Sequence, residues 1–167
     1  MAQLLGILRV YVTLGILSLL GATAAWVAFS FSWNSLPSED NTMAPTLQGS
    51  QIFRVDKRVR RPDQLRHGDL VAYRKDDRIM VGRVAGLPGE TLSIHKGALK
   101  VNGDTLQEFL SPEVTEGEVP EILIPRDHLY VLVDTRAEAS YRLNPQEYDS
   151  RGLGPISCAR LIGKLLR

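Results

Sequence analysis

Between Val10 and Phe31 the chain runs for 22 residues without a charge, and this run constrains it more than any other feature. Rich in Leu, Ile, Val and Ala, the run as a helix extends ~33 Å against a hydrocarbon core of ~30 Å, enough for one membrane span. Trp26 and Trp33 lie towards its far end, where amphipathic rings suit a membrane interface, while Arg9 and the amino terminus precede it and favour a cytoplasmic N-terminus. A cleaved signal peptide is the rival reading, with Arg9 as n-region, Val10 to Leu20 as h-region and Ala22-Thr23-Ala24 as a small-residue cleavage site. Against it, the apolar run continues through Trp26, Val27, Ala28 and Phe29, longer than an h-region needs. Residues 1–33 are therefore read as a retained membrane anchor and residues 34–167 as an exported domain, and both readings export that domain. Gly21 and Ala25, four residues apart, are a weak feature for helix packing.

With 167 residues in all, the chain beyond the anchor has the length of one packed domain rather than two. Arg9 is the only charge before Glu39, so the remaining 19 basic residues face all 19 acidic ones beyond it. A domain that neutralises a phosphate backbone needs a basic excess, so a nucleic-acid partner is excluded. The lone Cys158 excludes an internal disulfide and a multi-cysteine zinc site, and His67, His95 and His128 are too scattered for a metal-ligand spacing. No metal or cofactor is expected.

Past a linker at Asn34 to Asp40, short β-prone runs alternate with turn residues, without a long 3.6-residue periodicity. The expected strands are Gln51 to Asp56, Leu70 to Arg74, Ile79 to Ala85, Thr91 to His95, Ala98 to Val101, Leu129 to Val133 and Ile156 to Arg160. Asn102-Gly103 signals a two-residue hairpin, Gly86-Leu87-Pro88-Gly89 a further reversal, and Arg74 to Arg78 a polar hairpin tip. Ser111 to Pro125, with four glutamates and three prolines, reads as an exposed loop or an ordered wrap. The pattern predicts a mostly β domain of short strands, a sandwich or barrel.

Four boxes come after the apolar run in order: Asn41-Thr42-Met43-Ala44-Pro45-Thr46-Leu47, Gly68-Asp69-Leu70-Val71, Val81-Gly82-Arg83-Val84-Ala85-Gly86-Leu87-Pro88-Gly89-Glu90 and Asp149-Ser150-Arg151-Gly152-Leu153-Gly154. In this order and spacing the chain resembles the type I signal peptidase family, membrane-anchored Ser-Lys endopeptidases, from about residue 8 to its end. The resemblance implies a β-fold of short antiparallel strands with one N-terminal transmembrane helix. It further implies a cleft for extended signal-peptide segments of exported preproteins at the bilayer surface, bound by strand addition with small pockets for Ala-x-Ala. Asp40, Asn41, Met43, Pro45, Met80 and Val81 would line that cleft.

The chemistry departs from the family pattern. Where family members carry the nucleophilic serine this chain has Thr42, and where they carry the general-base lysine it has Gly82, which has no side chain to accept a proton. Val133-Asp134-Thr135 replaces Gly-Asp-Asn, and Glu147 stands close to the position of a serine that in the family orients the lysine. Glu147 is a speculative substitute base if burial raises its pKa. Lys75 at a hairpin tip and Lys57 in a basic run read as solvated cations, and Asp149, Ser150 and Arg151 as structural, an ion pair or hydrogen-bonded turn. Three readings result: a catalytically impaired homologue binding signal peptides or a membrane partner, an active peptidase with Thr42 as unorthodox nucleophile, and a structural subunit packed against other membrane proteins.

Overall fold

The computed structural model describes residues 2–37, 40–106, 118–135 and 148–166. Helix α1 (Ala2–Ser30) covers the uncharged run up to Ser30 and reaches back past Arg9. Its side chains from Gln3 to Phe29 are exposed, and Gln3–Ser30 is long and apolar enough to cross a membrane.

Strand β1 (Phe31–Ser35) begins at the next residue and pairs antiparallel with β2 (Ile52–Asp56), in register from Phe31 opposite Asp56 to Ser35 opposite Ile52. The end of the apolar run and the start of the expected linker are therefore strand. These two strands open a seven-stranded sheet that continues through β11 (Leu161–Leu166), β3 (Leu70–Lys75), β4 (Arg78–Gly86), β9 (His128–Leu132) and β10 (Ile156–Ser157). A second sheet has the order β7 (Asp104–Thr105), β6 (Ala98–Val101), β5 (Thr91–His95), β8 (Val119–Leu123). Every pairing is antiparallel, so the domain is mostly β as its punctuated short runs predict.

Strand alternation divides the core. One cluster on the large sheet holds Met43, Phe53, Val55, Ala72, Val81 and Val133, and the opposite face holds Val71, Tyr73, Met80, Val84, Leu129 and Val131. Because both faces are covered, β3 is apolar at four successive buried positions, Leu70 to Tyr73. The third cluster, Leu92, Ile94, Leu99, Ile124, Tyr130 and Leu132, joins the two sheets.

Two expectations need correction, and one strand lies outside every expected run. Ile156 to Arg160 is not one strand: after Ser157 the chain turns into a 3-10 helix over Cys158–Arg160, capped by the Ser157 hydroxyl. Strand β8 lies inside the expected loop, and Ser111 to Gly117 of that loop fall outside the described residues. Strand β11 carries no flanking turn signal, yet it is central, between β2 and β3. The hairpin joining β6 to β7 turns at Asn102-Gly103 with φ of 53° and 87°, the paired positive values a type I′ turn requires.

Candidate active site

The loop around Thr42 is fastened from both sides. Its Met43 and Leu47 side chains are buried in the first core cluster. Thr135, just past β9, donates its backbone N–H to the Thr42 carbonyl at 2.9 Å and its hydroxyl to the Asn41 carbonyl at 2.9 Å. Within this loop Asp40 and Thr42 are themselves buried, 9% and 8% exposed. Asp40 Oδ1 accepts the Thr42 hydroxyl at 2.6 Å and the Thr42 backbone N–H at 3.0 Å. This is a local Asx turn, in which a carboxylate takes the amide two residues on. Among the described residues the same turn recurs twice, with Asp56 accepting the backbone N–H and Nε of Arg58 and Asp149 those of Arg151.

Position 82 is closed. Gly82 is on β4 opposite Val71, on the sheet face occupied by Met80, Val84 and Val131. A Cβ built there falls well inside contact distance of Val131 Cγ1 and 3.2 Å from the Leu132 carbonyl oxygen. The start of any side chain at this position would overlap a packed valine.

Arg83, one residue on, faces the other way into a nearly dry polar cluster. Its Nε donates to Asp134 Oδ1 at 2.7 Å, its Nη1 to the Gly68 carbonyl at 2.9 Å, and its Nη2 to Asp134 Oδ2 and to the Thr46 hydroxyl. Thr46 in turn donates to Asp134, so the ion pair grips the Thr42 loop. On the Gly82 side the helical turn α2 (Ser150–Leu153) is capped by Asp149, whose carboxylate pairs with Arg151 at 2.8 Å. Ser150 Oγ accepts the Val131 N–H at 2.9 Å and Asp149 Oδ2 the Val133 N–H at 3.3 Å. The Asp-Ser-Arg box thus holds the strand whose valine fills the space beside Gly82.

Residues 9–166 match the family described as Signal peptidase, peptidase S26. The chain is 31% identical over 137 residues to signal peptidase I U of Bacillus subtilis strain 168, covering 75% of this chain and 69% of that one. With signal peptidase I of Bacillus licheniformis it shares 30% identity over 138 residues, 75% of this chain and 70% of the relative. The chain belongs to the signal peptidase family. A crystal structure of a signal peptidase I from Enterococcus faecalis V583 matches 61% of this chain and 97% of its own, at 22% identity and a TM-score of 0.48.

In this signal peptidase family member the residues expected to line one cleft divide between core and surface. Asn41 and Pro45 are exposed, and Pro45 borders an open groove of about 640 Å³ with Trp33, Ile52 and Phe53. Met80 and Tyr148 wall a smaller cleft of about 390 Å³ with Lys75, Asp76, Asp77 and Arg78 at the β3–β4 tip. Met43 and Val81 are core residues, 0% and 2% exposed. Glu147 lies outside the described residues. Lys57 sits 5.5 Å from the Phe29 ring centroid at the end of α1, and His67 and His95 pair with Glu90 and Glu118.

Negative charge gathers near the loop. Burial pushes the Tyr73 phenol well above its ordinary pKa, and the Asp149 and Asp40 carboxylates push it further. Sequence reasoning missed Asp40 as partner of the hydroxyl, Thr46 and Asp134 as anchors of the loop, and Val131. A readable signal existed for Asp134, a lone carboxylate ending the apolar run Leu129 to Val133, with Arg83 set among apolar residues on a second strand. Nothing local marks Val131.

Proposed function

We propose that this chain is a membrane-anchored signal peptidase homologue, N-terminus cytoplasmic and β-domain exported, that captures signal-peptide segments of exported preproteins without hydrolysing them. The observation that carries this reading is the closure of position 82 by Val131, because without a proton acceptor on that strand a buried threonine hydroxyl is a poor nucleophile. The Asp40 carboxylate adds to it. It occupies the Thr42 N–H, a donor that an oxyanion forming at this hydroxyl would need, and places negative charge where negative charge would develop. Peptide capture is supported by β4, whose pairing with β9 is confined to Arg83–Gly86, so that among the described residues only β3 pairs with Arg78–Gly82. An extended segment added along that outer edge gains main-chain hydrogen bonds without demanding a side-chain sequence.

The 2.6 Å hydrogen bond from Thr42 to Asp40 favours a second reading. In it the Thr42 oxygen attacks the scissile carbonyl while its proton passes to Asp40; the tetrahedral intermediate then breaks the C–N bond as Asp40 returns that proton to the departing amine, and water hydrolyses the acyl-enzyme. Incubating the detergent-solubilised full chain with a preprotein carrying Ala-x-Ala separates the two. We expect photo-crosslinked capture of the signal segment and no cleavage, unchanged by Thr42→Ala or Asp40→Asn. Cleavage that disappears in both variants would establish the second reading and defeat the first.

A further inference from the structure

Among the described residues the two sheets end in four edge strands, and three of them are blunted. Strands β7 and β10 have two residues each, and β8 carries Pro120 and Glu121. Strand β1 differs: Phe31–Ser35 holds neither proline nor charge and pairs with β2 at five consecutive positions without a bulge. Short length, proline, charge and bulges are what keep an edge from recruiting a further strand, so this edge stands open to one. The ladder decides which groups it offers. The Lys57 N–H donates to the Ser30 carbonyl at 2.8 Å, so in the β1–β2 register Ser30, Ser32 and Asn34 turn their backbone groups towards β2. The N–H and C=O groups of Phe31, Trp33 and Ser35 alternate with these and point outward, where no strand among the described residues meets them. The side chains beside this edge are cationic. Arg54 is directly opposite Trp33, 5.4 Å from the Phe31 ring centroid and 5.9 Å from that of Trp33, so its guanidinium lies across the edge strand. Lys57 covers Phe29 at the foot of the strand. Among the described residues no carboxylate forms an ion pair with either cation, and Asp56 between them is held by Arg58 at 2.7 Å.

We propose that the outer edge of β1 docks an extended, acidic segment of a partner protein, which adds to the large sheet as a further strand and sets its carboxylates against Arg54 and Lys57. The proposal is independent of peptide capture, which uses the open stretch of β4 several strands away. An added strand brings donors and acceptors in the alternation that Phe31, Trp33 and Ser35 require, and so gains main-chain hydrogen bonds along the whole edge. Charge then selects among strands, because carboxylates meet two cations that lack ion-pair partners and a basic segment would be repelled. Free phosphate groups would also meet the cations, but they offer acceptors alone and leave the three outward carbonyls unmatched. A second copy of this chain fits the edge less well, since pairing β1 with itself brings a second Arg54 and a second Lys57 to the same border.

The test is binding of a fluorescein-labelled peptide, Thr-Glu-Val-Glu-Val-Glu-Thr, to the full chain in a zwitterionic detergent, read by fluorescence anisotropy. This peptide should bind ~10-fold tighter than its counterpart with lysine in place of glutamate, and high salt should narrow the gap. Trp33→Pro removes an outward N–H that the β1–β2 ladder does not use, whereas Trp33→Ala keeps it. The proline variant should therefore bind roughly 10-fold more weakly than the alanine variant. Arg54→Gln together with Lys57→Gln should erase the preference for glutamate over lysine. Methylating two adjacent central amides of the peptide blocks both of its edges and should abolish binding to the unaltered chain, a result that does not depend on how the proline variant folds. Equal binding of the two peptides, equal binding by the proline and alanine variants, or full binding of the methylated peptide would each overturn the proposal. Binding that survives Trp33→Pro and is displaced by an Ala-x-Ala signal segment would assign the peptide to β4, removing the docking while leaving peptide capture intact. Displacement of the glutamate peptide by inorganic phosphate at constant ionic strength would overturn it in favour of a free-anion site.

Discussion

Gly82 and Arg83 are consecutive on β4, and strand alternation sends them to opposite faces of the seven-stranded sheet. On the Arg83 face a buried guanidinium, a carboxylate, a hydroxyl and a carbonyl satisfy one another and hold the loop that presents Thr42. On the Gly82 face a valine methyl occupies the volume a side chain would need. The loop that carries Thr42 is thus held from one face of the sheet while packing closes the other, and a complete network on the first face says nothing about the second. The Asp-Ser-Arg box makes the same point, since its three side chains are engaged in capping α2 and anchoring β9.

The largest effect is expected from breaking the Arg83 face. Asp134→Ala leaves a nearly buried guanidinium without its counter-charge and should cost about 3–5 kcal/mol, read from denaturant unfolding of the solubilised full chain. A loss below about 1 kcal/mol would mean the pair is solvated and the loop held by other contacts. The next effect belongs to the other face. Gly82→Ala should cost about 1–3 kcal/mol through overlap with Val131. Combined with Val131→Ala it should cost less than the two changes summed, by about 0.5–3 kcal/mol, because the second change removes the obstacle to the first. Strict additivity would show that the strands shift apart freely and that the closure of this position is only apparent. The same reasoning bears on reconstruction: Thr42→Ser with Gly82→Lys should stay inactive, and Val131→Ala must accompany them before cleavage is a fair expectation.

Much of this was legible in the sequence, and the boundary of what was not has a physical cause. The long apolar helix, the turn at Asn102-Gly103 and the β3–β4 hairpin are written in local patterns, and the structure shows each of them. Strand β11 was not legible because Leu161 to Leu166 gains its strand character from the neighbours on either side, β2 and β3, which are distant in the chain. Strand β8 was hidden by proline and glutamate, residues tolerated because it is an edge strand. At the site, the absence of a lysine at Gly82 was readable and its replacement by Val131 was not, since that contact joins residues 49 positions apart across two strands. Asp40 was read as a cleft residue, and its hydrogen bond to Thr42 depends on a backbone turn that the local sequence does not announce.

The smallest effects sharpen the comparison on the Gly82 face itself, where Tyr73 stands opposite Met80. Its hydroxyl donates to the Tyr148 carbonyl at 2.8 Å, whereas the buried Tyr130 hydroxyl, on the inter-sheet core, has no partner among the described residues. Tyr73→Phe should therefore cost about 1 kcal/mol near neutral pH, while Tyr130→Phe should be neutral or slightly stabilising, since it deletes an unsatisfied group. Alkaline titration tells whether both phenols are as dry as the fold implies. Burial raises both above their ordinary pKa, with the Asp149 carboxylate adding to each. A group whose folded pKa is raised contributes stability that is fully present below its unfolded pKa, ~10 for tyrosine, and is lost as pH rises from there towards the folded value. Cys158, whose thiol burial also raises, is first replaced by Ser so that its own titration does not intrude. In that background each Tyr→Phe change should flatten the loss of stability above about pH 10, Tyr73→Phe from a lower neutral-pH value and Tyr130→Phe from an equal or higher one. An unchanged alkaline limb in the Tyr73 variant would mean water reaches its phenol, and with it the face that Val131 is held to close.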